Sequence, residues 1–110
     1  MIILMLVETM NNLKIKHHYS HWLPSLFGAG AVTFGRHIFY KDSKPKDWLV
    51  RHEEKHVEQY ILYGTFGFLY KYITEYLAGR IKGKSHRQAY RNISLEIEAR
   101  AAELRNGLID

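Results

Sequence analysis

The chain contains no cysteine, which excludes disulfides and thiolate metal ligands alike. A metal would have to be held by the seven histidines and the eleven carboxylates. Acidic residues are the minority: 16 Lys and Arg against 11 Asp and Glu leave a formal charge of +5. That balance permits an anionic partner, nucleic acid or a membrane surface, without requiring one. No uninterrupted apolar run is long enough to cross a bilayer. Met1 to Val7 (MIILMLV) is too short, has no basic residue before it and shows no cleavage pattern, so it reads neither as a span nor as a signal peptide. It reads instead as a buried strand or a poorly ordered tail, with residues 1–12 an upstream extension and Met10 an alternative start. Tyr60 to Leu77 is nearly as apolar, but Lys71 and Glu75 interrupt it and Gly64 and Gly67 break its first half, so it reads as a core helix. There is no internal repeat, low-complexity segment or linker. With 110 residues, 46% of them apolar, one domain with one core is expected, cytoplasmic by default.

What is present is His52-Glu53-Glu54-Lys55-His56, an H-E-x-x-H sequence between apolar flanks. On a helix, residues four apart are neighbours, so the two imidazoles project from one face and can chelate one ion. Glu53 lies about 100° round from His52, where a carboxylate can reach a water beside that ion without binding the ion itself. Two imidazoles and a carboxylate favour zinc over other divalent ions. Gln59, seven residues after His52, is about 20° off its direction and faces the same side. Tyr60, Tyr90 and His86 are candidate oxyanion or transition-state donors, and Gln59, Tyr60 and Tyr90 are candidates to support the ligands or touch a substrate.

Around this motif the chain reads as α+β, mainly helical with a small sheet. Leu13 to Tyr19 alternates weakly, as a short strand would. His17, His18 and His21 cluster there with no carboxylate near them; only 17 and 21 have a helical ligand spacing. Pro24 to Gly30 reads as a turn or half-helix closed by Gly28 and Gly30. Ala31 to Tyr40 (AVTFGRHIFY) is the best strand, with Gly35 a bulge or close approach. It is short and charged, as an edge strand should be, and could pair with an extended peptide. The motif helix is expected from about Asp47 to Tyr63, capped by Ser43 or Asp47. A second helix from about Phe66 should end at Gly79. A last helical region spans Ser85 to Asn106, stopping at Gly107, with Asn92 or Ser94 able to cap a separate final helix near Leu95.

The third ligand is open on spacing alone. A metzincin-type continuation fails, because Gln59 stands at its glycine position and Leu62 at its last histidine. Glu75 follows His56 at a spacing found in one aminopeptidase group, but Lys71 at i−4 offers it an ordinary helix ion pair. The third region is Leu95-Glu96-Ile97-Glu98-Ala99.

Gly28 to Tyr60 and the later Ala-Tyr-Arg-Asn-Ile-Ser-Leu-Glu-x-Glu-Ala (residues 89–99) resemble a small zincin-like domain. Its pattern is small residue, Thr, Gly-Arg, Ile, loop, Leu, H-E-x-x-H-V-x-Q, then E-x-E-A. That domain occurs in phage-related and contractile-injection-system proteins and as small stand-alone metallopeptidases, and the resemblance covers about Gly28 to Glu103. It implies a minimal zincin-like fold with Glu96, three before Ala99, as third ligand and Glu98 as a supporting or surface residue. A related pattern places Asp directly after that alanine to orient a histidine; here Arg100 stands there. The activity implied is zinc-dependent hydrolysis of a peptide bond, with Glu53 as base and one zinc on His52, His56 and Glu96. The substrate would lie along Ala31 to Tyr40, in a shallow cleft. One rival is a catalytically weak docking module of a phage or secretion assembly. The other is a basic binder of nucleic acid or a membrane surface, built around Arg80 to Arg91, where Arg80, Lys82, Lys84, Arg87 and Arg91 cluster. Nucleic acid is not the expected partner.

Overall fold

Two runs of four strand-forming residues flank Gly35-Arg36, and the chain turns back between them. The computed structural model, which describes residues 14–104, has β2 at Ala31–Phe34 and β3 at His37–Tyr40. They pair antiparallel with Phe34 opposite His37. Gly35, with φ +60°, takes the first position of a two-residue turn, where a positive φ is needed. The single strand expected over Ala31 to Tyr40 is therefore a hairpin, and the glycine is its turn rather than a bulge. β1, Lys16–His18, adds parallel to β3. Among the described residues, the order β1-β3-β2 makes β3 central and leaves β1 and β2 as the two edge strands, so the free edge of the hairpin is that of β2. The expectations for Met1 to Val7, Met10 and Gly107 fall outside the described residues.

The rest is helical, which makes the fold α+β with a small three-stranded sheet. α1, Leu23–Leu26, is one turn, followed by Gly28 with φ +62°. α2 covers Asp47–Ile81 but is broken at Gly64, whose φ of 74° and ψ of 165° are open to glycine alone. Its start has no side-chain cap: Lys46 is the N-cap, and Asp47 sits in the first turn, where it complements the helix dipole. The break is sharp. Tyr60 and Phe68 would be about 12 Å apart along a straight helix, yet their rings stack at 3.8 Å. Residues 65–81 thus fold back against residues 47–63. Tyr60, Phe68, Ile93 and Leu95 form the core at this junction, while Val57 packs with Ala31, Ile38 and Tyr40 to hold the sheet on the first arm.

Gly79 does not end α2. A Cβ there would lie 3.0 Å from that of Ala89, so the glycine serves the close approach of α3, His86–Arg91. The helix ends at Gly83, φ +90°. The bonds Lys84 N–H to Gly79 O and Gly83 N–H to Arg80 O form a Schellman closure. α3 opens with a Ser85–Gln88 capping box. α4, Ser94–Glu103, has neither Asn92 nor Ser94 as cap; Ile93 is its N-cap residue. The capping acceptor comes from another helix. Glu75 takes the Ser94 N–H at 2.7 Å and the Ser94 hydroxyl at 3.0 Å, and also pairs with Lys71 at 3.0 Å. Burial works to raise the Glu75 pKa, but these bonds outweigh it and hold the carboxyl below its ordinary range.

Two outcomes follow for variants of this framework. Gly64→Ala should lose about 1–3 kcal/mol in urea unfolding, because alanine is strained at that backbone conformation. Glu75→Ala should lose about 1 kcal/mol, the worth of a helix cap, and leave metal uptake at the H-E-x-x-H site intact. Loss of the metal without loss of fold would make Glu75 a ligand instead.

Candidate metal centre

The first arm of α2 turns His52, Glu53, His56 and Gln59 inward, and α4 brings Glu96 to meet them; all five are buried. Ala99 and Ala102 are buried too, and their small side chains let α4 lie close to α2. Glu96 sits between the two rings. Its Oε1 is 3.0 Å from His52 Nε2, and its Oε2 is 3.1 Å from His56 Nε2. The three residues offer ligand atoms that all lie within 4.8 Å of one another, so the group can hold a metal ion.

The remaining ring nitrogens explain why the lone pairs point inward. His52 Nδ1 faces Glu103 Oε2 at 2.7 Å, and His56 Nδ1 faces Gln59 Oε1 at 2.8 Å. Both partners accept, so each Nδ1 carries a proton and each Nε2 is directed at Glu96. Gln59 is oriented in turn, since its amide donates to Leu95 O and Glu98 Oε1, each at 3.0 Å. Tyr72 and Tyr90 donate to Glu96 at 2.7 and 3.2 Å. Without a cation, two imidazole lone pairs would face a carboxylate, and the rings could relieve this only by taking up protons. Burial resists charge on His52 and His56, yet the bonds to Glu96 and the neighbouring carboxylates outweigh it and raise both. Burial would raise Glu96 as well; its hydrogen bonds to the two histidines override that and hold it strongly ionised. A divalent cation would satisfy the same three atoms and displace those protons.

Glu53 stands apart from the cluster. Its Oε1 accepts from the Thr33 hydroxyl at 2.8 Å, which ties it to the edge strand. Burial raises its pKa, and the nearby histidines and Thr33 pull only partly against this. Tyr60 donates to Thr33 O at 3.4 Å, and burial raises its pKa to about 12. His52, His56 and Glu96, with Glu53, Thr33 and Tyr60, open on one cleft of about 770 Å³, a volume usual for ligand sites. It is larger than the shallow groove expected, because the folded-back arm and α3 supply a second wall. Among the described residues that line it there is no lysine or arginine.

The other candidates separate cleanly. Glu75 has both oxygens engaged at Ser94 and Lys71. Glu98 is exposed and reaches the site only through Gln59. His86 lines the cleft but bonds Tyr76 at 2.9 Å. His17, His18 and His21 do not line it, and no helix forms there: His17 bonds Tyr40, and His18 bonds His37. Arg100, at the position where the related pattern has a histidine-orienting Asp, bonds Arg91 O. Glu103 does that work. It lies seven residues after Glu96, on the same helix face, and this spacing was the available signal. Thr33 was visible only as the Thr of the resembling pattern. Tyr72 had no local signal. The chain matches no protein-family model, no curated protein and no solved structure. The site is therefore defined by its geometry: a buried two-histidine, one-glutamate centre at the base of an apolar cleft.

Calorimetric titration of the purified chain with a divalent metal should give about one equivalent bound, which Glu96→Ala abolishes and Glu53→Gln preserves. Glu103→Ala should weaken affinity about 10–100-fold, the usual effect of losing a partner that orients a ligating histidine.

Proposed function

We propose that the protein is a zinc-dependent peptidase acting on an extended peptide, with His52, His56 and Glu96 as ligands and Glu53 as general base. The observation that carries this reading is the position of Glu53. A site built only to hold a metal has no use for a second carboxylate, kept off the ligand set and held by Thr33 Oγ1 at 2.8 Å. The donor set, two imidazole nitrogens and a carboxylate, suits zinc. Zinc, when bound, supplies Lewis-acid chemistry: it acidifies water and polarises a carbonyl.

The chain's own groups account for the rest. Burial raises the Glu53 pKa, which brings the carboxylate nearer to the strength a base needs to take a proton from water and return it. Water adds to the peptide carbonyl carbon, the C–N bond breaks, and the proton held by Glu53 passes to the leaving amine. Thr33 couples this base to β2. In a two-residue hairpin the closing pair, Phe34 and His37, exchange backbone bonds, so by alternation Ala31 and Thr33 turn theirs to the free edge, where Thr33 O also takes the Tyr60 hydroxyl. An extended substrate can pair there. The expectation of a substrate along all of Ala31 to Tyr40 narrows to β2, because β3 is paired on both sides. Tyr72 and Tyr90 hold Glu96 in place and are positioning residues. The resemblance to zincin-like domains of phage and injection-system proteins supports the same reading through its motif.

Zinc-loaded protein should cleave a denatured protein substrate, with cleavage sites read by mass spectrometry. Glu53→Gln should lower the rate at least 100-fold, the lower range for loss of a general base, while retaining zinc. 1,10-Phenanthroline should stop cleavage, and added zinc should restore it. Full zinc occupancy with no cleavage of any extended substrate would favour the docking-module reading instead.

A further inference from the structure

The second arm of α2, residues 65–81, is apolar on two faces. Phe68 and Tyr72 turn inward and join the core. On the other side, Phe66, Tyr70, Ile73, Leu77 and Ile81 recur at intervals of four, three, four and four, which places them on one face. They are exposed by 88, 74, 51, 50 and 85% respectively. A helix apolar all round is normally covered all round, and an exposed stripe of this kind marks an interaction surface. It runs about 25 Å along the helix.

Its net charge is positive. The arm holds Lys71, Glu75 and Arg80; Glu75 caps α4 and pairs with Lys71, which leaves Arg80 as the excess charge. Beyond Tyr76 the chain carries Arg80, Lys82, Lys84, Arg87 and Arg91, all exposed, and no Asp or Glu occurs until Glu96. An apolar face ending in a cluster of cations is what an interfacial helix presents to anionic lipid. We propose that the outer face of residues 65–81, with the basic segment Arg80 to Arg91, docks on an anionic membrane surface. The helix lies on the bilayer; no described helix is long and apolar enough to cross one. A second copy docked through the same face would leave the cations unpaired, since that face supplies no acid. Nucleic acid would meet the cations but give the stripe no role. Ile73 also lines the metal cleft, so docking would hold the cleft mouth beside the lipid headgroups. The proposal stands whether or not the site hydrolyses peptides.

The test is co-sedimentation of the full chain with vesicles of phosphatidylcholine alone and of phosphatidylcholine with an equal part of phosphatidylglycerol, in about 0.1 M salt. Partitioning should be at least tenfold stronger on the anionic vesicles. Phe66→Ser with Ile81→Ser, and separately Lys82→Glu with Lys84→Glu, should each reduce it at least tenfold. Both variants should keep wild-type circular dichroism and metal uptake, because these side chains are outside the core and the site. The proposal is overturned by no binding, by equal binding to both vesicles, or by a solution dimer that Phe66→Ser with Ile81→Ser converts to monomer without vesicle binding by the wild type. Duplex DNA binding that ignores the stripe substitutions, in the absence of lipid binding, also overturns it.

Discussion

One carboxylate between two imidazoles is the contact on which the rest depends. Glu96 is forty residues and more from His52 and His56, and its oxygens reach their Nε2 atoms at 3.0 and 3.1 Å. Three acceptors and a negative charge are costly to bury unless something positive sits among them. Much of the molecule serves to keep them together. Glu103 and Gln59 direct the rings, Tyr72 and Tyr90 direct the carboxylate, and Glu75 anchors the start of the helix that delivers it. Among the described residues no buried side-chain nitrogen or oxygen lacks a partner, so the network is complete on its outer side and open only toward the ion it can hold.

The break at Gly64 has two consequences. It folds the second arm back so that Phe68 meets Tyr60 and Tyr72 reaches Glu96. That movement builds one wall of the cleft. It also leaves the opposite face of the same arm without a neighbour among the described residues, which is where the exposed stripe lies. A small chain has few elements with which to cover both faces of a helix. The interior of the site and the apolar exterior are thus products of one glycine.

Local patterns fared unevenly, each for a definite cause. The H-E-x-x-H helix, the break near Gly64, the strand-forming runs and a separate last helix are set by spacing within a few residues, and they could be read directly. At Gly35 a bulge and a two-residue turn share the same local composition, and only cross-strand register tells them apart. Gly79 has the local look of a helix end, but the alanine that demands a glycine there, Ala89, arrives from a later helix. The caps of α2 and α4 were misplaced for a related reason. α2 needs no side-chain cap, and the acceptor for α4 is Glu75, distant in sequence.

Sequence by itself determined what depends on helical repeat and residue chemistry. It supplied two imidazoles one turn apart, a carboxylate beside them, no thiol to compete, and an excess of positive charge concentrated after residue 79. It also limited the third ligand to a few carboxylates, with motif resemblance favouring Glu96. Tertiary structure alone decided which carboxylate arrives. Glu75, Glu96, Glu98 and Glu103 all sit on helices, and spacing cannot say which helix face will oppose the histidines. The answer depends on the Gly64 bend and on how closely α4 packs through Ala99. Those same contacts also decided that Tyr72 and Glu103 join the site, that Thr33 holds Glu53, and that one apolar face is left to the solvent.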